Sequence, residues 1–247
     1  MSNEIRSLLW KELRQLRRSR GALASATLLP IVMLLVMPFV QLAAFRSIDA
    51  SQLAASNPAN QAILARFDRP IDLYTTVILP LFVALTGVIV PAVATAYAVV
   101  TERERRSLDL IMALPVSVAD VLVTKVLSVM VVALAVVLPL FAINMGVMLG
   151  LGVLDLLGAF LLLLVLFGAF TCSIGVTFVV TIVARDFRTA NNLSGLQMLP
   201  VMALTPALLL TLPTVPGFLA LASALAAVGL FALFVAWRWI TFERYLA

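Results

Sequence analysis

"LYTTVILPLFVALTGVIVPAVATAYAVVT", Leu73–Thr101, runs for 29 residues without an Asp, Glu, Lys or Arg. About 20 consecutive apolar residues cross the hydrocarbon of a bilayer as a helix, so this block is long enough to span it. Four further blocks, 21–45, 126–154, 156–184 and 189–237, are equally free of formal charge. The last is too long for one crossing and is interrupted by "LPTVPG", Leu212–Gly217, where two prolines and a glycine predict a turn. Six spans result, at 21–45, 73–101, 125–151, 156–184, 189–212 and 217–240.

Composition agrees with this reading. Of the 247 residues, 63% are hydrophobic and 12% charged, whereas about a quarter of a soluble domain is charged; the mean hydropathy is +1.14. Backbone amides in lipid must be paired within their own segment, and none of the blocks alternates like a membrane strand. The expected fold is an all-α polytopic membrane protein forming a single transmembrane domain over 1–247.

The 17 basic residues are distributed unevenly. Fourteen lie before residue 21, within 101–125, at Arg185 and Arg188, or at Arg238 and Arg244, all at one end of the spans; only Arg46, Arg66 and Arg69 fall on the other side, in the loop 46–72. The positive-inside rule then places both termini in the cytoplasm. The pI near 10.1 reflects this topology and contact with anionic headgroups, and nucleic acid is not an expected partner.

Residues 2–20 place Ile5, Leu8, Leu9, Leu13 and Leu16 on one side of a helix, with Arg6, Lys11, Arg14, Arg17 and Arg18 largely on the other and Trp10 between them. Such a helix lies in the headgroup layer. As a topology anchor or as a mechanical element, it fits the pattern equally well.

Several chemistries are excluded or unsupported. The chain has no histidine, and its two lysines, Lys11 and Lys125, sit in no Gly-Lys-Ser/Thr loop, so it is not itself a P-loop ATPase. No resident cofactor or metal is expected. The spans carry no carboxylate of the kind that couples ion-driven carriers. Their polar side chains are expected chiefly to join helices, with Asn144, Thr86 and Gln197 as candidates for lining a substrate path. Gly146 with Gly150, and Gly168 with Cys172, are spaced for close helix contacts.

The charge is concentrated in "TERERRSLDLIMALPVSVADVLVTK", Thr101–Lys125. Glu102 and Arg106 stand at i and i+4. Ser107 is placed to cap a short helix carrying Leu108, Leu110, Ile111 and Leu114, Asp109 lies in its first turn, and Pro115 ends it. By physics alone the segment 102–124 is either a helix that presses into a partner's groove or a loop lying on the membrane surface.

Glu102, Ser107-Leu108-Asp109, Leu110-Ile111, Pro115-Val116-Ser117 and Lys125 resemble the segment between spans two and three of ABC-2 type export permeases. Six spans, inward termini and a length near 250 residues extend the resemblance along the chain, closest to the compact sodium-efflux or haem-export kind. Arg106 and Thr124 depart from it, because many members have glycine at those positions. The resemblance implies that Ser107–Leu114 is a coupling helix docked in a separate ATPase subunit that binds ATP and Mg. Two such subunits would work with two permeases, identical or related, in a bacterial or archaeal cell membrane. The cargo would leave the cytoplasm by alternating access, an amphipathic or hydrophobic molecule or sodium fitting an uncharged path. An ATP-independent channel or secondary carrier is the alternative.

Overall fold

In the computed structural model, residues 27–47, 66–67, 69–104, 118–184 and 186–239 are described. Among them there is no strand, and six helical stretches are long and apolar enough to cross a membrane. The first, α1, covers Thr27–Ser47. Next, α2 comprises Pro70–Leu73, a π-helical turn at Tyr74–Ile78 and the long Leu79–Glu104. Then come α3, Val118–Gly150, and α4, Leu156–Val183. The fifth crossing is divided into α5, Phe187–Gly195, and α6, Met198–Thr211, and α7 is Thr214–Trp239.

Two helices form the centre. In α2 and α4, 78% and 61% of the most apolar stretch is buried within the protein, against 22–28% in the other crossings. The main core contains Val83, Val88, Val137, Leu162, Phe170, Val201 and Leu221, drawn from α2, α3, α4, α6 and α7. Outward-facing Val40, Val131, Ile143, Leu199, Phe231 and Phe234 leave an apolar perimeter, which suits a solvent of acyl chains.

Proline shapes the packing of α1 on α2. Widened π turns occur at Val32–Val36 in α1 and at Tyr74–Ile78 in α2, each ending two residues before a proline, Pro38 or Pro80. A proline has no N–H for the carbonyl four residues back, and its ring crowds that carbonyl, so the preceding turn opens. Tyr74, fully buried, begins the second π turn, and its hydroxyl donates to the Pro38 carbonyl at 3.0 Å. Phe45 packs against its ring.

Connections are short and locally specified. Gly152, at φ 65°, closes α3: its amide donates to Leu149 and that of Val153 to Met148, the paired bonds of a Schellman end. Asp155 then caps α4 by accepting from the Gly158 amide at 2.8 Å. Arg69 and Asp72 make a reciprocal cap ahead of α2. The Arg66 guanidinium donates to the Leu210 carbonyl, an otherwise orphaned group at the end of α6.

Two boundaries differ from expectation. The fifth crossing is not one helix, because Leu196 and Gln197 form a turn between α5 and α6. The proline-rich turn contracts to Leu212 and Pro213, and Val215, Pro216 and Gly217 already belong to α7. Proline is tolerated in a first helical turn, whose amides lack intrahelical acceptors anyway.

Candidate functional site

The helices flanking the charged stretch meet at one end of the bundle. α2 continues through Glu102 to Glu104, and α3 starts at Val118. Arg106, Ser107, Leu108, Asp109, Leu110, Ile111, Leu114 and Pro115 lie outside the described residues, as does the side chain of Glu102. The segment carrying Arg6, Trp10, Lys11, Arg14, Arg17 and Arg18 lies outside them too.

Around this end the chain packs with small side chains. Ala96 of α2, Ala184 just after α4 and Ala190 of α5 form a fully buried cluster. Asp186 caps α5, accepting from the Thr189 amide at 2.8 Å and from its hydroxyl at 2.9 Å. Those bonds, the amide first, together with Arg188 nearby hold its carboxyl below the ordinary aspartate range.

Lys125 was legible in the sequence only as a motif residue at the head of a span. In the structure its side chain is 2% exposed and ranks among the largest fully buried ones. Both Thr124 and Lys125 are engaged with neighbours, as a buried ammonium requires. The available signal was a lone lysine in a helix whose apolar stretch begins before it, at Val121.

The three candidate path residues are all internal to the chain. Thr86, fully buried, donates to the Phe82 carbonyl of its own helix at 2.8 Å. Asn144, also fully buried, donates its side-chain amide to the Leu34 carbonyl in α1. Leu34 precedes Pro38 by four residues, so its carbonyl has lost the usual helical donor and Asn144 supplies one. Gln197, 7% exposed at the α5–α6 turn, donates to the Thr177 hydroxyl of α4 at 3.3 Å. Ser173 of α4 donates to the Val88 carbonyl of α2. These are separate interhelical hydrogen bonds, tying α1 to α3, α2 to α4 and α4 to the fifth crossing.

Sequence reading overlooked Ser194, which is 1% exposed beneath this turn. Its hydroxyl, with those of Thr95 and Thr205 and the carbonyl oxygens of Asn144 and Gln197, has no partner among the described residues. No group of three or more His, Cys, Asp or Glu that could hold a metal occurs among the described residues. Cys172 is buried and unbridged.

Among the described glycines, the closest approach to another backbone is elsewhere, between α4 and α7. A Cβ added to Gly175 or Gly229 would run into the carbonyl of Gly229 or Thr171 respectively, nearer than atoms approach. One added to Gly168 would lie 2.5 Å from the Ala222 carbonyl. On the other flank of α4, a Cβ on Gly87 of α2 would sit 2.7 Å from that of Ala169. Backbone-to-backbone packing of this kind gives membrane helices dispersion contact that lipid cannot match.

Six apolar crossings, buried neutral polar ties between helices and helices packed through glycine define an α-helical, multi-pass integral membrane protein. Residues 6–217 match the ABC-2 family transporter protein, and the chain belongs to that family. It is accordingly a permease, the membrane-spanning part of a transporter. No curated protein and no solved structure matches the chain.

Proposed function

We propose that this chain is the permease subunit of an ATP-driven exporter, of the compact sodium-efflux or haem-export kind, with both termini in the cytoplasm of a bacterial or archaeal cell membrane. Family membership over residues 6–217 is the observation that carries the reading. Ser107–Leu114 acts as the coupling helix, bracketed by Glu102 and Arg106 and ended by Pro115, and docks in a separate ATPase subunit. ATP and Mg are bound on that partner. Two ATPases and two permeases, the second an identical or related chain, make the working unit, with the N-terminal amphipathic helix beside the ATPase. The cargo, amphipathic, hydrophobic or sodium, passes by alternating access.

Two structural features support this arrangement. Segment 105–117 connects α2, at the centre of the bundle, to α3, whose most apolar stretch is only 28% buried. A push on that segment therefore acts on a central helix and a peripheral one in different degree. The packed α2, α4 and α7 provide a rigid body against which the rest can move.

The test is docking to the cognate ATPase. Leu110→Asp with Ile111→Asp puts two charges on the apolar face of the helix and is expected to weaken co-purification by at least roughly thirtyfold, the scale of losing a binding hot spot of about 2 kcal/mol. Normal association of that variant overturns the docking assignment. Transport by the purified chain alone in liposomes without ATP overturns the exporter reading.

A further inference from the structure

Where α3 begins and α7 ends, the two helices leave a groove of about 350 Å³ lined by Val123, Val126, Leu127, Leu233, Phe234 and Trp237. Its floor is built rather than accidental. Val126 and Leu233 also pack on the buried cluster of Val129, Ile174, Phe178 and Ala236 that joins α3, α4 and α7. Its rim is open: Val123 and Phe234 are about half exposed, and Trp237 is 59% exposed.

We infer that this groove is a specific site for an anionic phospholipid, one acyl chain lying between α3 and α7 and the headgroup at Arg238. The lining is all hydrocarbon and aromatic, so a polar occupant would forfeit its hydrogen bonds there, whereas an acyl chain loses nothing. Depth agrees with this occupant. Trp237 stands at the end of the last apolar block, at the position where indoles mark the boundary between hydrocarbon and headgroups. Charge decides the headgroup. Arg238, exposed in the last turn of α7, lies four residues beyond Phe234 and so on the same helix face, one turn further out. Among the described residues, no acidic side chain lines the groove. A guanidinium above an apolar slot between two helices selects a lipid with a net negative headgroup over a zwitterionic one.

The site does not rest on the exporter reading, because its ligand is a component of the bilayer and no ATPase is involved. Its consequence is mechanical: the chain of the bound lipid fills the space between α3 and α7, the latter packed closely on α4.

The full chain, with Trp10→Phe and Trp239→Phe to leave Trp237 as the sole indole, is reconstituted in phosphatidylcholine vesicles. A fixed minor fraction of the lipid is either phosphatidylglycerol or phosphatidylcholine brominated on its acyl chain. Quenching of Trp237 should require about fivefold less brominated phosphatidylglycerol than brominated phosphatidylcholine for the same effect. Arg238→Gln should abolish the difference, and Arg238→Lys should keep most of it. Val123→Phe with Leu127→Phe, which fills the slot, should bring phosphatidylglycerol down to the phosphatidylcholine level. Equal quenching by the two lipids in the parent protein means an undifferentiated lipid annulus only and overturns the proposal. So does a preference that survives Arg238→Gln.

Discussion

Two glycine pairs in this chain, one spaced by four residues and one by seven, behave in opposite ways. Gly146 and Gly150 form a GxxxG pair on α3, yet both are exposed and a Cβ on either would meet nothing within 4 Å. Gly168 and Gly175 on α4, seven residues apart, meet Ala222 and Gly229 on α7, also seven apart, backbone against backbone. A seven-residue repeat keeps one face of each helix toward the other over two turns, the condition for a continuous seam. The lesson is that a small-residue motif marks a place where helices could approach, and the partner's register decides whether they do.

The largest expected effect comes from filling the used seam. Gly229→Ala or Gly175→Ala drives a methyl into a carbonyl that cannot yield without separating α4 from α7. A loss of about 3 kcal/mol is expected, read as a lower thermal midpoint in detergent; an unchanged midpoint would break the comparison. Next is a polar tie of α3, the helix whose glycines are idle. Asn144→Ala removes the donor to the Leu34 carbonyl and should cost about 1 kcal/mol by the same measurement. If the loss matched that of the glycine variants, α3 would be as firmly held as α7.

The mirror experiment on the idle pair should go the other way. Gly146→Ala adds a methyl in open space to the middle of a helix and is expected to be neutral or stabilising by up to about 1 kcal/mol. A marked destabilisation would reveal a packed partner for that face. The smallest effect belongs to Asp186, outside the crossings. Asp186→Asn keeps the Thr189 cap and should leave the midpoint almost unchanged near neutrality. Because its carboxyl is held below the ordinary range, the charged cap contributes above the usual aspartate pKa. That contribution disappears as the pH falls through the lowered value, so any difference between parent and variant should vanish in acid.

Much of the fold was legible because hydropathy accumulates locally. The block Leu73–Thr101 announces a crossing whatever surrounds it, and the basic residues between blocks mark the connections. The break at Leu196–Gln197 was not legible, because "NNLSGLQMLP" reads as part of an unbroken uncharged run. Of its polar residues, Gln197 is met by the Thr177 hydroxyl of α4, far away in sequence. Asn144 was legible as a polar residue in a span, but not as the donor that answers the carbonyl freed by Pro38. That pairing joins residues 110 positions apart.

The sequence by itself determined that the chain has six helices able to cross a membrane, and over residues 6–217 it carried the match by which its transporter family is recognised. Only the tertiary structure decided which helices are central, which glycines are seams, and where each buried polar group finds its partner. The physical reason is range. The cost of placing a residue in hydrocarbon is set by that residue and its neighbours along the chain, whereas close packing and hydrogen bonding between helices depend on the relative register and rotation of segments far apart in sequence.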